Sequence, residues 1–225
     1  MRVFSRKWFV WRAVAVAFAA AGIAAGAGAQ DLNAVVAKLD ASAAKFKSAQ
    51  ADVVWDAVQT QPIPDSDKQA GTILFARSGS DVKVALHLTL HNGTPFKKTM
   101  VYANGQGKLN DGSTTQTFSA GSNKSTLEAF LTLGFGGSGA DLQKNWAVTY
   151  QGTEAVSGVQ AAKLQLIPKD PSVAKATPKV ILWVDMDKGV GVQQQRFDTS
   201  GNYSMITYSN IKLGVSAPSS AFQLK

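Results

Sequence analysis

Val82-Lys83-Val84-Ala85-Leu86-His87-Leu88-Thr89-Leu90 decides the fold class. Val82, Val84, Leu86, Leu88 and Leu90 share one parity, while Lys83, His87 and Thr89 share the other. Successive strand side chains point to opposite faces, so this is a strand with one apolar and one wet face, as antiparallel sheets have. His91-Asn92-Gly93-Thr94 then reads as a turn. Outward from this strand, others are expected at 52–58, 71–77, 97–103, 106–110 and 114–119. A second set is expected at 146–154, 160–168, 179–185, 190–198 and 203–213. Asp187-Lys188-Gly189 and Thr199-Ser200-Gly201-Asn202 supply hairpin turns. Gln61-Pro62-Ile63-Pro64-Asp65 interrupts the first pair, because proline fixes φ and lacks a backbone donor. The reading is an α+β protein with about eleven antiparallel strands, no internal repeat and no linker.

Two stretches have helical spacing instead. Leu32, Val35, Val36, Leu39, Ala43 and Phe46 form one apolar stripe over 31–49, with Asp31 as the expected N-cap. In mid-chain, Leu127, Phe130, Leu131 and Leu133 mark a short helix over 125–133 capped by Thr126, with another at 140–145. The stretch 168–178 holds three prolines and is expected to be a loop.

The N-terminus has the form of an export signal. Arg2, Arg6, Lys7 and Arg12 precede a charge-free run over 13–27, and Ala27-Gly28-Ala29 ends it with small residues. A basic start, a short apolar run and a small-x-small end describe a cleaved secretory leader over 1–29, with cleavage near Ala29. The run is short for a span of about 20 residues. A single domain over 30–225 in the periplasm is therefore expected. The chain has no cysteine, so it can be neither acylated at such a site nor held by disulfides. The leader carries four of the 23 basic residues, and without it the formal charge of +8 falls to +4. That excess is dispersed and too small to indicate nucleic acid, though it suits loose attraction to an anionic membrane.

Catalytic patterns are absent. His87 and His91 lie on and just past a strand, with no acid adjacent in sequence to complete a metal site. There is no Cys nucleophile and no Gly-x-Ser-x-Gly elbow. Asp65, Asp67, Asp81, Asp111, Asp170 and Asp187 are scattered among expected turns and helix starts. Residues 134–139 match Gly-x-Gly-x-x-Gly, but a helix precedes them where the dinucleotide motif needs a strand, so the glycines are read as a sharp turn between helices. Asn92-Gly93-Thr94 and Asn123-Lys124-Ser125 match glycosylation sequons and are read as turns. No enzyme activity, cofactor or metal is expected.

A curved sheet of eleven strands makes a half-barrel too wide for a few short helices to fill. Composition leaves open whether its concave side is an apolar cavity or a packed core. Several segments bear on this: Asp31-Leu32-Asn33-Ala34-Val35-Val36-Ala37-Lys38-Leu39-Asp40 with Phe46 and Ala51-Asp52-Val53; Gly71-Thr72-Ile73-Leu74-Phe75-Ala76-Arg77; 127–139; 180–185; 193–197; Tyr208-Ser209-Asn210-Ile211; and Ala221-Phe222-Gln223-Leu224. Together they resemble the LolA family of periplasmic lipoprotein carriers over nearly the whole mature chain. The resemblance implies an unclosed β-barrel with helices forming a lid over a hydrophobic cavity, and a strand arginine, here Arg77, that bonds the lid. Ser78-Gly79 stands where the family often has proline, and Leu86 and Leu88 replace its usual aromatic pair. Parity agrees about Arg77, since Ile73, Phe75 and Arg77 share one face.

The expected cavity lining is Phe75, Arg77, Leu86, Leu88, Met100, Tyr102, Phe130, Leu131, Phe135, Leu164 and Leu166, with Trp55 and Trp183 as weaker candidates. The cargo implied is acylated lipoproteins or lipids. Implied docking partners are an inner-membrane lipoprotein-releasing complex and an outer-membrane acceptor, with the protein as a monomer. A lipid-sensing envelope-stress regulator is the alternative. Such proteins usually carry a second domain, for which this chain has no room, so the carrier is preferred.

Overall fold

The computed structural model describes residues 23–79, 81–121 and 124–223, with side-chain detail lacking for 23–30 and Ser125. The chain runs α1 (Ile23–Ala43), β1 (Ser48–Gln59), β2 (Asp65–Ser78), β3 (Asp81–His91), β4 (Thr94–Ala103), β5 (Gln106–Asn110) and β6 (Thr115–Ser119). Then come α2 (Lys124–Leu131), α3 (Gly139–Asn145), β7 (Trp146–Val156), β8 (Val159–Pro168), α4 (Pro171–Ala174), β9 (Lys179–Asp185), β10 (Val190–Phe197) and β11 (Tyr203–Leu213). A 3-10 turn over Ser219–Phe222 ends it.

All eleven strands form one antiparallel sheet in the order β6-β5-β4-β3-β2-β1-β11-β10-β9-β8-β7. Two meanders meet where β1 pairs with β11. β6 and β7 are the free edges, so the barrel is unclosed. The chain between those edges forms α2 and α3. The unclosed, eleven-stranded antiparallel barrel expected from the sequence is the fold observed.

Local chemistry explains the hairpins. Asn92-Gly93, Asn104-Gly105 and Ser157-Gly158 each place two successive residues at positive φ. That is the mirror-image turn whose twist suits a two-residue hairpin. The Asn92 side chain also accepts from the Lys68 backbone N–H at 2.9 Å, anchoring the sequon residue as a turn. Asn123 and Leu224 lie outside the described residues, as does most of the expected leader.

Several expectations are corrected. α1 starts at Ile23, so Asp31 sits inside the helix rather than capping it. The Ala-rich, proline-free 23–30 carries the helix backward, alanine being the best helix former. α1 also ends at Ala43 rather than at 49, and Ser48 already belongs to β1. Thr126 falls within the first turn of α2. The three-proline loop contains α4, with Pro171 in its first turn and Asp170 as N-cap. Leu90 leaves the apolar stripe of β3 and is 41% exposed, because the register slips between Leu88 and Leu90. A bulge inserts one residue and turns those beyond it to the other face.

The concave face carries two apolar clusters. One gathers Val53, Ile73, Phe75, Val84, Leu86 and Tyr208. The other gathers Val35 and Leu39 of α1, Leu142 of α3, and Leu164, Leu166 and Leu182. On the convex face, Phe222 of the 3-10 turn packs on Ala85 and Val101.

Candidate functional site

The site is the space between the concave face and α2. A cavity of about 210 Å³ lies there. Val53, Ile73, Phe75 and Leu86 form part of its floor, and Leu127 and Leu131 of α2 form its roof. Period-two alternation puts Ile73 and Phe75 inward on β2, and antiparallel pairing sets them opposite Leu86 and Val84 of β3. On α2, Leu127, Phe130 and Leu131 fall at helical spacing on the cavity side. A second, more open cleft of about 580 Å³ lies across α2, lined by Arg77, Val82, Glu128, Leu133 and Trp146 among others. Phe130 is a wall of both spaces and meets Trp146 edge-on at 5.3 Å.

Polar and backbone ties hold this cover down. Arg77 donates from its guanidinium to the Gly136 carbonyl in the glycine turn after α2, and from Nε to the Gly79 carbonyl at 3.1 Å. Tyr102 Oη donates to Glu128 Oε1 at 2.9 Å, joining β4 to α2. Burial, the Glu128 hydrogen bond and the adjacent negative charge push the Tyr102 phenol up to about 12. Gly191 N–H donates to the Gly134 carbonyl at 2.6 Å. The two glycines approach so closely that a Cβ on Gly134, already at φ +92, would stand 2.8 Å from Gly191 Cα.

Between these ties Phe135 plunges into the sheet. Its ring stacks on Phe75 at 4.6 Å and meets Tyr208 edge-on at 4.9 Å. The glycine stretch 134–139 is thus a sharp turn between α2 and α3, as its residues predict.

The predicted lining residues divide. Phe75, Leu86, Met100, Phe130 and Leu131 border the cavity. Leu88, Tyr102 and Phe135 are buried in the same cluster around it. Arg77 stands at the cleft and the glycine turn. Leu164 and Leu166 lie fully buried in the other cluster, beneath α1 and α3. Trp55 faces the cavity. Trp183 does not: it lies on the convex face with Val156, Ile181 and Val192, donates to Glu154 at 3.1 Å and sits under Lys163. Its strand is buried on both faces, so alternation gives no hint of direction.

Sequence reasoning missed Tyr208, Gln194, Arg196, Ser204 and Ile206, which also border the cavity. The Tyr208 phenol is raised strongly by burial and accepts from Gln194 Nε2 at 2.9 Å. Trp55 Nε1 is a buried donor without a partner among the described residues, a state that costs about 1–3 kcal/mol.

His91 has an acid neighbour after all. Pairing of β2 with β3 brings Asp67 to 2.7 Å from His91 Nε2. Among the described residues no three His, Cys, Asp or Glu side chains gather as a metal site would require. No described helix is long and apolar enough to cross a membrane.

Comparison with solved structures agrees on the fold. MucB matches with a TM-score of 0.51 and 15% identity over 88% of this chain and 64% of that one. The chain therefore spans less than two thirds of that structure's length. An uncharacterized conserved protein from Thermus thermophilus matches at TM-score 0.51 and 9% identity, over 88% and 94% of the two chains. A LolA superfamily protein from Nitrosomonas europaea matches at TM-score 0.40 and 14% identity, over 86% and 97%. The sequence matches no protein-family profile and no curated protein.

Proposed function

We propose that this protein is a periplasmic carrier that holds the acyl chains of lipoproteins or lipids beneath α2 and ferries them toward the outer membrane. The observation that carries this reading is the pair of spaces divided by one short helix. The inner cavity, about 210 Å³, is smaller than the roughly 300–1,000 Å³ of ordinary ligand pockets. Lifting α2 would join it to the cleft of about 580 Å³, and the shared wall, Phe130, belongs to the helix that would move. Aliphatic walls such as Ile73, Leu86 and Leu131 favour alkyl chains without selecting their shape.

The ties on the cover suit a latch. Arg77 gives a charged hydrogen bond to the glycine turn, and Tyr102 a neutral donor to Glu128. Breaking them would free α2 while the sheet stays intact. Gly134 and Gly136, both at positive φ, let the chain turn sharply there, and the bond from Gly191 to Gly134 is the fixed point about which α2 would swing. In this reading a leader cleaved near Ala29 exports the chain. The carrier works as a monomer, loaded at an inner-membrane releasing complex and unloaded at an outer-membrane acceptor. Its cavity binds rather than catalyses.

Native mass spectrometry of protein purified gently from an envelope fraction tests this. The expected result is a bound acyl species, lost in Leu86→Trp, whose larger side chain fills the cavity, and held less tightly in Arg77→Leu. A clean unliganded mass, with no uptake of added phospholipid or triacylated peptide, would overturn the carrier. Uptake without transfer of the cargo to outer-membrane vesicles would replace delivery with sensing.

A further inference from the structure

The cavity has a polar end that a purely aliphatic cargo would not need. Register defines it in rows across the concave face. Trp55, Ile206, Gln194 and Leu182 stand in one row of cross-strand partners. The next row toward the strand ends is Ala57, Ser204, Arg196 and Val180. Beyond it opens a groove of about 650 Å³ on the outer rim. Trp55, Arg196 and Ser204 border both the groove and the apolar cavity, so the two spaces meet at these three side chains.

Arg196 is the charged group at that junction. Its guanidinium makes no hydrogen bond or ion pair among the described residues and is exposed at the rim, where partial burial by its neighbours lowers its pKa. A planar fork of donors left free beside an apolar hole suits a carboxylate or phosphate. Trp55 Nε1, a buried donor with no partner among the described residues, adds a second N–H at the same junction. The groove also holds the carboxylates of Asp65, Asp67 and Asp198, each already paired within the protein. Asp65 accepts from Ser66 N–H at 2.8 Å, Asp67 faces His91 at 2.7 Å, and Asp198 accepts from the N–H groups of Ser200 and Asn202 at 2.8 and 3.0 Å.

From this arrangement we infer that the cargo is an anionic amphiphile, its tail in the cavity under α2 and its carboxylate or phosphate head on Arg196 and Trp55. The inference rests on the acyl-binding reading above and adds the chemistry of the head. Polarity along the concave face fixes the orientation: alkyl chain toward Ile73 and Leu86, head toward the rim.

The test uses three ligands sharing one oleoyl tail: oleate, a lysophosphatidylglycerol and neutral monoolein. Each displaces an apolar fluorophore from the full mature protein. Oleate, the lysophospholipid or both should bind at least roughly tenfold tighter than monoolein, the size of a charge-assisted hydrogen bond. Whichever of the two binds tighter tells a free fatty acid from a phospholipid source. Arg196→Gln should abolish the preference by bringing the anionic ligands down to the affinity that the same variant shows for monoolein, Arg196→Lys should keep part of it, and added salt should weaken it. Matched thermal melts establish that the variants fold. Equal affinity for all three ligands, or a preference that survives Arg196→Gln, would overturn the head-group site while leaving the acyl cavity standing. Failure of all three, monoolein included, would overturn both readings.

Discussion

The two halves of the concave face are covered differently. Over β7, β8 and β9 lies α1, a long helix whose Val35 and Leu39 interlock with Leu164, Leu166 and Leu182. Leu164 and Leu166 have no exposure there, whereas Leu39, Leu142 and Leu182 at the edge of the same cluster border the cleft of about 580 Å³. Over β1 to β4 lies α2, only eight residues long, and about 210 Å³ stays open beneath it. The sheet supplies an apolar surface to both halves, and the helices that cover them differ in length. Long helices can bury a continuous stripe, whereas two turns cannot span the face. In the carrier reading the α1 half is the scaffold and the α2 half the part that opens.

Mutation can break that comparison. Leu166→Ala in the α1 half should cost about 4 kcal/mol in urea unfolding, since its neighbours cannot collapse into the hole. Gly134→Ala attacks the seam between the halves. A methyl 2.8 Å from Gly191 Cα, at a φ that disfavours side chains, should cost about 3 kcal/mol in the same assay. Leu86→Ala should cost about 2 kcal/mol, less than Leu166→Ala, because Leu86 already borders open space. Equal costs for the two leucines would mean the halves are packed alike.

Smaller changes sharpen it. Tyr102→Phe removes only the tie to Glu128 and should cost about 1 kcal/mol, while stopped-flow mixing shows faster entry of an apolar probe. The smallest effect is in pH dependence. The folded phenol titrates near 12 against an ordinary 10, so its contribution is complete below pH 10. As pH rises from 10 toward 12 the unfolded chain ionises first and that stability is lost. Tyr208, raised by burial, acts in the same direction. Urea midpoints across this window should fall less steeply in Tyr102→Phe than in the unmodified protein.

Legibility followed the alternation. β3 has Lys83, His87 and Thr89 on its outer face, and they marked its parity up to the bulge that turns Leu90 out, although Ala85 on that face is buried under Phe222. β9 gave no parity at Trp183, because an all-apolar strand has no wet face to mark. β10 failed in the opposite way. Gln193-Gln194-Gln195-Arg196 is polar on both sides, so nothing in sequence says that Gln194 and Arg196 are the two that border the cavity. Arg77 could be placed because Ile73 and Phe75 precede it at the same parity, but its acceptor is 59 residues away.

The strands, the hairpins and the presence of α1, α2 and α3 were written in the amino-acid order alone, though α4 and the ends of α1 were not. Period, turn chemistry and proline act within a few residues, and neighbours in the chain suffice to express them. Which apolar residues became core and which became cavity wall was settled only by folding. Leu166 and Leu86 are the same residue type, both turned inward from the sheet, and what differs is the helix that the folded chain lays across each.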